Sequence, residues 1–274
     1  MTKGETLVAG PWAGEFGWEL FAWQAYVRAL SRSFNQTVIV GRETSKSLYM
    51  DFADEYIAVT PTGGDADSYF MHNYDINAAM KEVLMGRKEL LTAASTIFVP
   101  RRLGNPPHTP HDTSVQVGNH HIVPEYIRFG EKLEKSYDYV FHIRQRSFRN
   151  ADNWHMEKWK TLRKLLGDVT IACIGIPTEA GWIEGTEDMR GNNLTTTLNI
   201  LHNAKCVLGP SSGPMHLASL CGTPHLVWGR RKMSLTRYEK NWNPLQTEVL
   251  FVEKHGFHPS AEYVYDTLNQ WRKK

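Results

Sequence analysis

The chain has 274 residues, 41% of them hydrophobic and 22% charged, with a formal net charge of +2. That size exceeds one small core and fits one large or two smaller domains. A charge balance this mild does not by itself argue for nucleic acid, and no run approaches the roughly 20 apolar residues of a membrane helix.

The first half alternates strand and helix signals. "TLVAG" reads as a strand. "WELFAWQAYVRALSRSF" carries apolar residues at helical spacing, with Arg28 and Arg32 late in it, where cations suit the helix dipole. "QTVIVG" is a strand, "SKSLYMDFADEY" a helix, and "YIAVT" a strand running into the turn "PTGGD". "NAAMKEVLMGRKELL" is a helix and "STIFVP" a strand. This βαβα order predicts a parallel sheet with helices on its faces.

The stretch from Arg101 to His121 is rich in Pro, Gly, Asn and His and reads as a long loop. "PEYIRFGEKLEKSYD" follows as a connecting helix and linker. The alternation then resumes. "YDYVFHIR" is a strand, "NWHMEKWKTLRKLLG" an amphipathic helix, and "DVTIACIG" a strand closed by Gly175, which is a further candidate binding residue. An irregular stretch leads to a helix capped by Asn193. "KCVLG", "PHLVWG" and "TEVLFV" are strands, and a terminal helix starts at Ser260.

Cys173, Cys206 and Cys221 each lie in an apolar stretch and read as buried free thiols of a reducing cytosol. The N-terminus lacks the apolar segment of a signal peptide, so a cytoplasmic location is expected. His108, His111, His120 and His121 sit in polar loop sequence without a strong ligand spacing, so no metal site is expected.

Chemistry concentrates in "GPSSGPMHLASLCGTPHLVWG", from Gly209 to Gly229. A strand runs through a Gly-Ser-Pro loop into a small-residue helix. In open parallel sheets, ligands bind beyond the carboxyl ends of the strands. Pro214 suits the first helical turn, and Gly213 permits close backbone approach. The free amides and positive helix end around Ser211, Ser212, Gly213, Pro214, Met215 and His216 favour a phosphate. The alternative is that Ser212 only caps the helix and His216 only packs. A second basic edge is "VFHIRQRSFRN". There, strand alternation would put His142, Arg144 and Arg146 on one side, and arginine forks bind diphosphate oxygens bidentately. The alternative for this edge is a solvated basic loop. "GRRKMSLTRYEKNW", after Gly229, is a third basic candidate for the same rim.

The segment 209–229 resembles the signature of the family 9, heptosyltransferase-like glycosyltransferases: Asp-(Ser/Thr)-Gly-x-x-His-x-Ala, a small-residue helix, Gly-x-Pro and a strand ending in Gly. Ser212, Gly213, His216, Ala218, Gly222, Pro224 and Gly229 fill this pattern, while Ser211 stands where the family has Asp. Trp154, Trp159 and Leu162 resemble the family's Trp-Pro-x-x-x-Trp-x-x-Leu helix, and "HIR" is also similar to the His-x-Arg element of fucosyltransferase-type enzymes. The resemblance covers most of residues 137–229.

It implies an α/β GT-B fold, with two Rossmann-like βα domains facing a central cleft, here 1–133 for the acceptor and 134–274 for the donor. The terminal helix 260–274 could pack back on the N-terminal domain, as it often does in this fold. The donor would be a nucleotide-diphosphate sugar, with no cofactor and no metal needed. Inverting transfer needs a base on the acceptor hydroxyl. Counting back from "RAL", the family's Asp falls on Glu19, with Glu15 four residues earlier. The alternative is that both acids satisfy the helix dipole. A saccharide of the lipopolysaccharide type is the implied acceptor. The basic loops leave open a phage-type DNA glycosyltransferase acting on hydroxymethylated pyrimidines. Ser211 leaves open a non-catalytic nucleotide- or sugar-binding protein. The donor's base, its sugar and the oligomeric state are not encoded legibly.

Overall fold

The computed structural model describes residues 4–60, 76–100, 110–230 and 233–273. The chain divides into two compact units, Met1–Tyr126 and Ile127–Lys274. The sequence placed the boundary near 133.

The first unit runs β1 (Gly4–Ala9), α1 (Phe16–Ala22), α2 (Gln24–Ser31), β2 (Phe34–Gly41), β3 (Glu55–Ala58), α3 (Ile76–Gly86), β4 (Ser95–Phe98), β5 (Val115–Val117) and β6 (His120–Ile122). The parallel sheet has order β3-β2-β1-β4. Strand alternation divides its apolar residues between two faces. Val8, Val38 and Val40 pack with Met80 and Leu84 of α3. Leu7, Ala9 and Ile39 are buried as well.

Three expectations change here. The long helix after β1 is broken at Trp23, where φ is −138° and ψ −69°. The buried Trp23 ring stacks on Phe98 at 5.2 Å and on Trp12 at 6.2 Å. This packing outweighs the helical periodicity. The helix expected over "SKSLYMDFADEY" is a short 3₁₀ segment, Glu43–Leu48; the hydroxyls of its Ser45 and of Tyr49, just after it, both donate to a distant carboxylate. The loop expected up to His121 ends instead in an antiparallel hairpin of β5 and β6, so His120 and His121 are strand residues. The turn at 61–65 and residues 101–109, including His108, lie outside the described residues.

Residues 123–136 form no helix, contrary to expectation. Their backbone groups bond elsewhere: Phe129 N–H donates to Leu220 O, and Glu131 and Leu133 N–H donate to the side-chain oxygens of Asn199 and Asn203. An extended strap satisfied by its neighbours has no need of a helical ladder.

The second unit contains β7 (Tyr137–Phe141), α4 (Met156–Leu166), β8 (Ile171–Cys173), β9 (Glu187–Asp188), α5 (Leu194–His202), β10 (Ala204–Pro210), α6 (Gly213–Cys221), β11 (His225–Trp228), α7 (Met233–Thr236), β12 (Val249–Val252) and α8 (Ala261–Arg272). Its parallel sheet has order β12-β11-β10-β7-β8-β9. The tryptophans that carry the resemblance are core. Trp154 lies 4.9 Å from Trp159 and 4.8 Å from Trp228, ring centroid to ring centroid. Trp154 Nε1 donates to Pro259 O at 2.8 Å, tying the start of α4 to the segment that enters α8. The terminal helix α8, expected as a helix that could pack back on the N-terminal domain, buries Ala261, Val264 and Leu268 in this same core of its own unit.

Candidate functional site

Three neighbouring strands of the second unit end at one place. β10 sits between β7 and β11 and runs directly into α6. A Cβ built on Gly209 would lie 2.7 Å from Met215 Sδ and 3.2 Å from His142 O, so a larger residue there would push on the Met215 side chain at the start of the helix.

Ser212 occupies the N-cap position of α6, with extended backbone, yet its side chain makes no cap hydrogen bond. Its hydroxyl is buried and has no hydrogen-bond partner among the described residues. The capping alternative is therefore not what the side chain does. The Ser212 peptide is held instead by Tyr238, whose hydroxyl accepts from Ser212 N–H at 3.1 Å and donates to Ser212 O at 3.3 Å. His216 N–H donates to Ser212 O as the first helical bond. Pro214 has no amide to offer. Gly213 and Met215 N–H then remain as the two first-turn donors that the helix does not itself use. Ser211 lies beside them, its own N–H given to Trp228 O.

His216 does not point a charge at this mouth. Its ring is buried, stacked on Tyr238 at 4.0 Å and 9°, with Trp242 edge-on at 4.9 Å. Burial holds its pKa well below 6.5, with the charge of Arg237 adding to the effect. The ring is neutral and packs the helix start.

The basic edge after β7 is built differently from the expectation. The strand stops at Phe141, and Arg144 N–H donates back to His142 O, so strand alternation does not set the facing of these side chains. His142 is buried, with Nδ1 3.4 Å from Ile174 O. A carbonyl only accepts, so this contact puts the ring proton on Nδ1. Burial brings the pKa down to about 4, and Arg144 and Arg146 push the same way. Gly175 makes room for that ring: its φ is +128°, and a Cβ there would meet Ala180 Cβ at 2.6 Å and His142 Nδ1 at 3.2 Å. His142 and Gly175 thus shape the edge and bring no charge to it.

Arg144 is buried, 3.7 Å from the Asp152 carboxylate and above Phe257. Arg146 lies 3.7 Å from Glu179, and its backbone exchanges two hydrogen bonds with the Asn153 side chain. Arg230, just past β11, reaches the same Asp152 at 3.3 Å. Asp152 stands outside the residues the sequence pointed to for binding, and Tyr238 was covered only as part of the basic segment after Gly229. Their signal was present only as an acid in the loop before α4 and as aromatics in "RYEKNW". Arg231 and Lys232 lie outside the described residues.

In the first unit, Glu19 of α1 is 1% exposed. Ser45 Oγ donates to one carboxylate oxygen and Tyr49 Oη to the other, both at 2.8 Å. Burial raises its pKa, and the hydrogen bond from Tyr49 and the charge of Arg42 only partly offset this. Glu15 is half-buried at the N-cap of α1, and its carbonyl accepts from Trp18 and Glu19 N–H. Arg42 donates to the carbonyls of Ala13 and Gly14, which fixes the glycine loop ahead of both acids.

No family model matches the chain, and no curated protein matches it. Solved structures do. An E. coli ADP-heptose lipopolysaccharide heptosyltransferase II matches with a TM-score of 0.62 at 13% identity, over 97% of this chain and 98% of that one. A Veillonella parvula glycosyl transferase of family 9 matches with a TM-score of 0.61 at 12% identity, over 97% and 96%. An E. coli heptosyltransferase solved with ADP matches with a TM-score of 0.60 at 14% identity, over 97% and 99%.

The fold is GT-B.

Identities this low carry the GT-B fold and not the residues, so each role rests on the geometry above. Among the described residues, no group of three His, Cys, Asp or Glu side chains is arranged to hold a metal. No described helix is long and apolar enough to cross a membrane.

Proposed function

We propose that the protein is a glycosyltransferase that takes a sugar from a nucleotide-diphosphate donor and passes it, with inversion, to a saccharide hydroxyl. The observation that carries the donor half is the mouth of α6. Two amides unused by the helix and a Ser212 hydroxyl that makes no cap bond lie at the end of β10, and Arg144 follows the end of the neighbouring strand β7. Oriented N–H groups and guanidinium forks stabilise a diphosphate as it leaves, because their charge is in place before the bond breaks. Arg146, one turn of loop further on, extends the same edge. His216 and His142 hold the frame as neutral rings.

The acceptor half is assigned to the first unit. A general base must reach the proton it removes. Glu19 is almost fully buried, whereas Glu15 is only half-buried. Glu15 is therefore the base in this reading, and Glu19 orders the loop behind it. One of the GT-B neighbours is named for lipopolysaccharide, which supports a glycan acceptor.

The test is a thermal-shift and calorimetric panel of nucleotide sugars on the full chain, followed by transfer assays. Stabilisation by one donor, weakened in Arg144→Ala, supports the reading. A panel in which no nucleotide sugar or nucleoside diphosphate raises the melting temperature overturns it.

A further inference from the structure

The Asp152 carboxylate joins two arginines that come from opposite sides of β10. Arg144 follows β7 and Arg230 follows β11, and in the sheet β10 lies between those strands. The loop from β10 ends in Ser211 and Ser212 at the mouth of α6. Gly229, which precedes Arg230, runs against Ser211: a Cβ built there would lie 3.1 Å from Ser211 Cβ. Asp152 is thus an internal anion held across the edge where the donor diphosphate is placed.

The two arginines are unequal. Arg144 has a side chain 5% exposed, and its position is fixed. Arg230 is 74% exposed, and its long stem is free to turn. A carboxylate and a phosphate present the same two-oxygen edge to a guanidinium, and the more highly charged group holds it better.

Resting on the donor-site reading above, we propose that Arg230 is a third anion-binding arginine of the site and that Asp152 is its resting counter-ion. When a nucleoside diphosphate enters, Arg230 leaves Asp152 and takes the terminal phosphate, while Asp152 stays with Arg144. No covalent bond changes in this exchange. It favours the diphosphate over the sugar-capped donor, because the terminal phosphate gains charge as the sugar departs. Arg230 therefore acts more strongly on the leaving group than on the substrate.

The experiment is calorimetric binding of ADP, UDP, GDP, CDP, dTDP and their monophosphates to the full chain, as wild type, Arg230→Ala, Arg230→Lys and Asp152→Asn. For whichever diphosphate the wild type binds, Arg230→Ala weakens binding about tenfold, and the matching monophosphate changes less than about twofold. Arg230→Lys recovers part of the loss, since it restores charge without the fork. Asp152→Asn tightens the diphosphate, because the competing carboxylate charge is gone. Arg230→Ala removes an exposed side chain, so it stays testable even if Asp152→Asn folds poorly. Wild-type binding with an unchanged Arg230→Ala overturns the role of Arg230 and leaves the donor site standing. Equal losses for monophosphate and diphosphate also overturn it. No binding of any of these diphosphates by the wild type overturns the donor-site reading and this inference together.

Discussion

The Tyr238 hydroxyl stands 3.1 Å from the Ser212 amide nitrogen and 3.3 Å from the Ser212 carbonyl oxygen, so one side chain clasps both ends of a residue at the head of α6. Tyr238 is fully buried, and its ring is stacked between His216 and Phe251. Tyr238→Phe keeps the stack and removes the clasp. The expected cost is about 1 kcal/mol of stability, the net worth of a neutral buried hydrogen bond. Weaker diphosphate binding should accompany it. Chemical denaturation and calorimetry check both, and an unchanged midpoint with unchanged affinity would show that the clasp is idle.

Three buried histidines make the second unit acid-sensitive. His142 and His225 are held down to about 4, and His216 lies well below 6.5, in each case mainly through burial. In the unfolded chain each takes a proton near 6.5, while the folded form refuses it. Their contribution to stability is complete above pH 6.5 and is lost as the pH falls from there towards 4. The melting temperature should drop over that window. Diphosphate binding should show no titration from His142 or His216 between pH 6.5 and 8. Ring-proton NMR midpoints near 6.5 for these residues would contradict the account.

Glu19 works in the opposite direction. Its folded pKa is raised, so its stabilisation is complete below its ordinary value of 4.5 and is lost as the pH rises through the folded pKa. Glu19→Gln cannot ionise. It should therefore be less destabilising at pH 7 than at pH 4 relative to wild type. Denaturant melts at the two pH values measure this, and a larger deficit at pH 7 would rule it out.

Glu15 and Glu19 separate in kinetics. Under the proposed reading Glu15→Gln lowers kcat by about 100-fold or more with KM for the donor little changed, as expected for loss of a general base. Glu19→Gln should lower the melting temperature more than Glu15→Gln does. Transfer surviving in Glu15→Gln at near wild-type kcat would remove Glu15 from the mechanism.

Gly175 carries a steric prediction. Gly175→Ala meets both a φ of +128° and a Cβ contact of 2.6 Å with Ala180, and should cost roughly 2 kcal/mol or more. Gly118→Ala, at φ +58° with nothing within 4 Å, should cost only about 1 kcal/mol. Thermal melts of the pair compare crowding with backbone strain, and equal losses would contradict the crowding at Gly175.

The sequence by itself determined the two βα halves, the parallel sheets and the strand-loop-helix at 209–229. Hydrophobic period, glycine and proline act over a few residues and are written locally. Tertiary structure decided everything that depends on a distant partner. It broke the first helix at Trp23, because the ring is stacked on Phe98. It turned "PEYIRFGEKLEKSYD" into an extended strap, because Asn199, Asn203 and Leu220 accept its amides. His216 reads in sequence as an anion ligand or a packed ring, and only Tyr238 and Trp242 around it decide for the ring. Glu19 reads in sequence as a base or a helix-dipole acid, and only the tertiary structure brings Ser45 and Tyr49 onto its oxygens. Asp152 shows in the sequence only as an acid in the loop before α4; its pairing comes from Arg144 and Arg230, which the order of strands in the sheet brings to it from opposite sides.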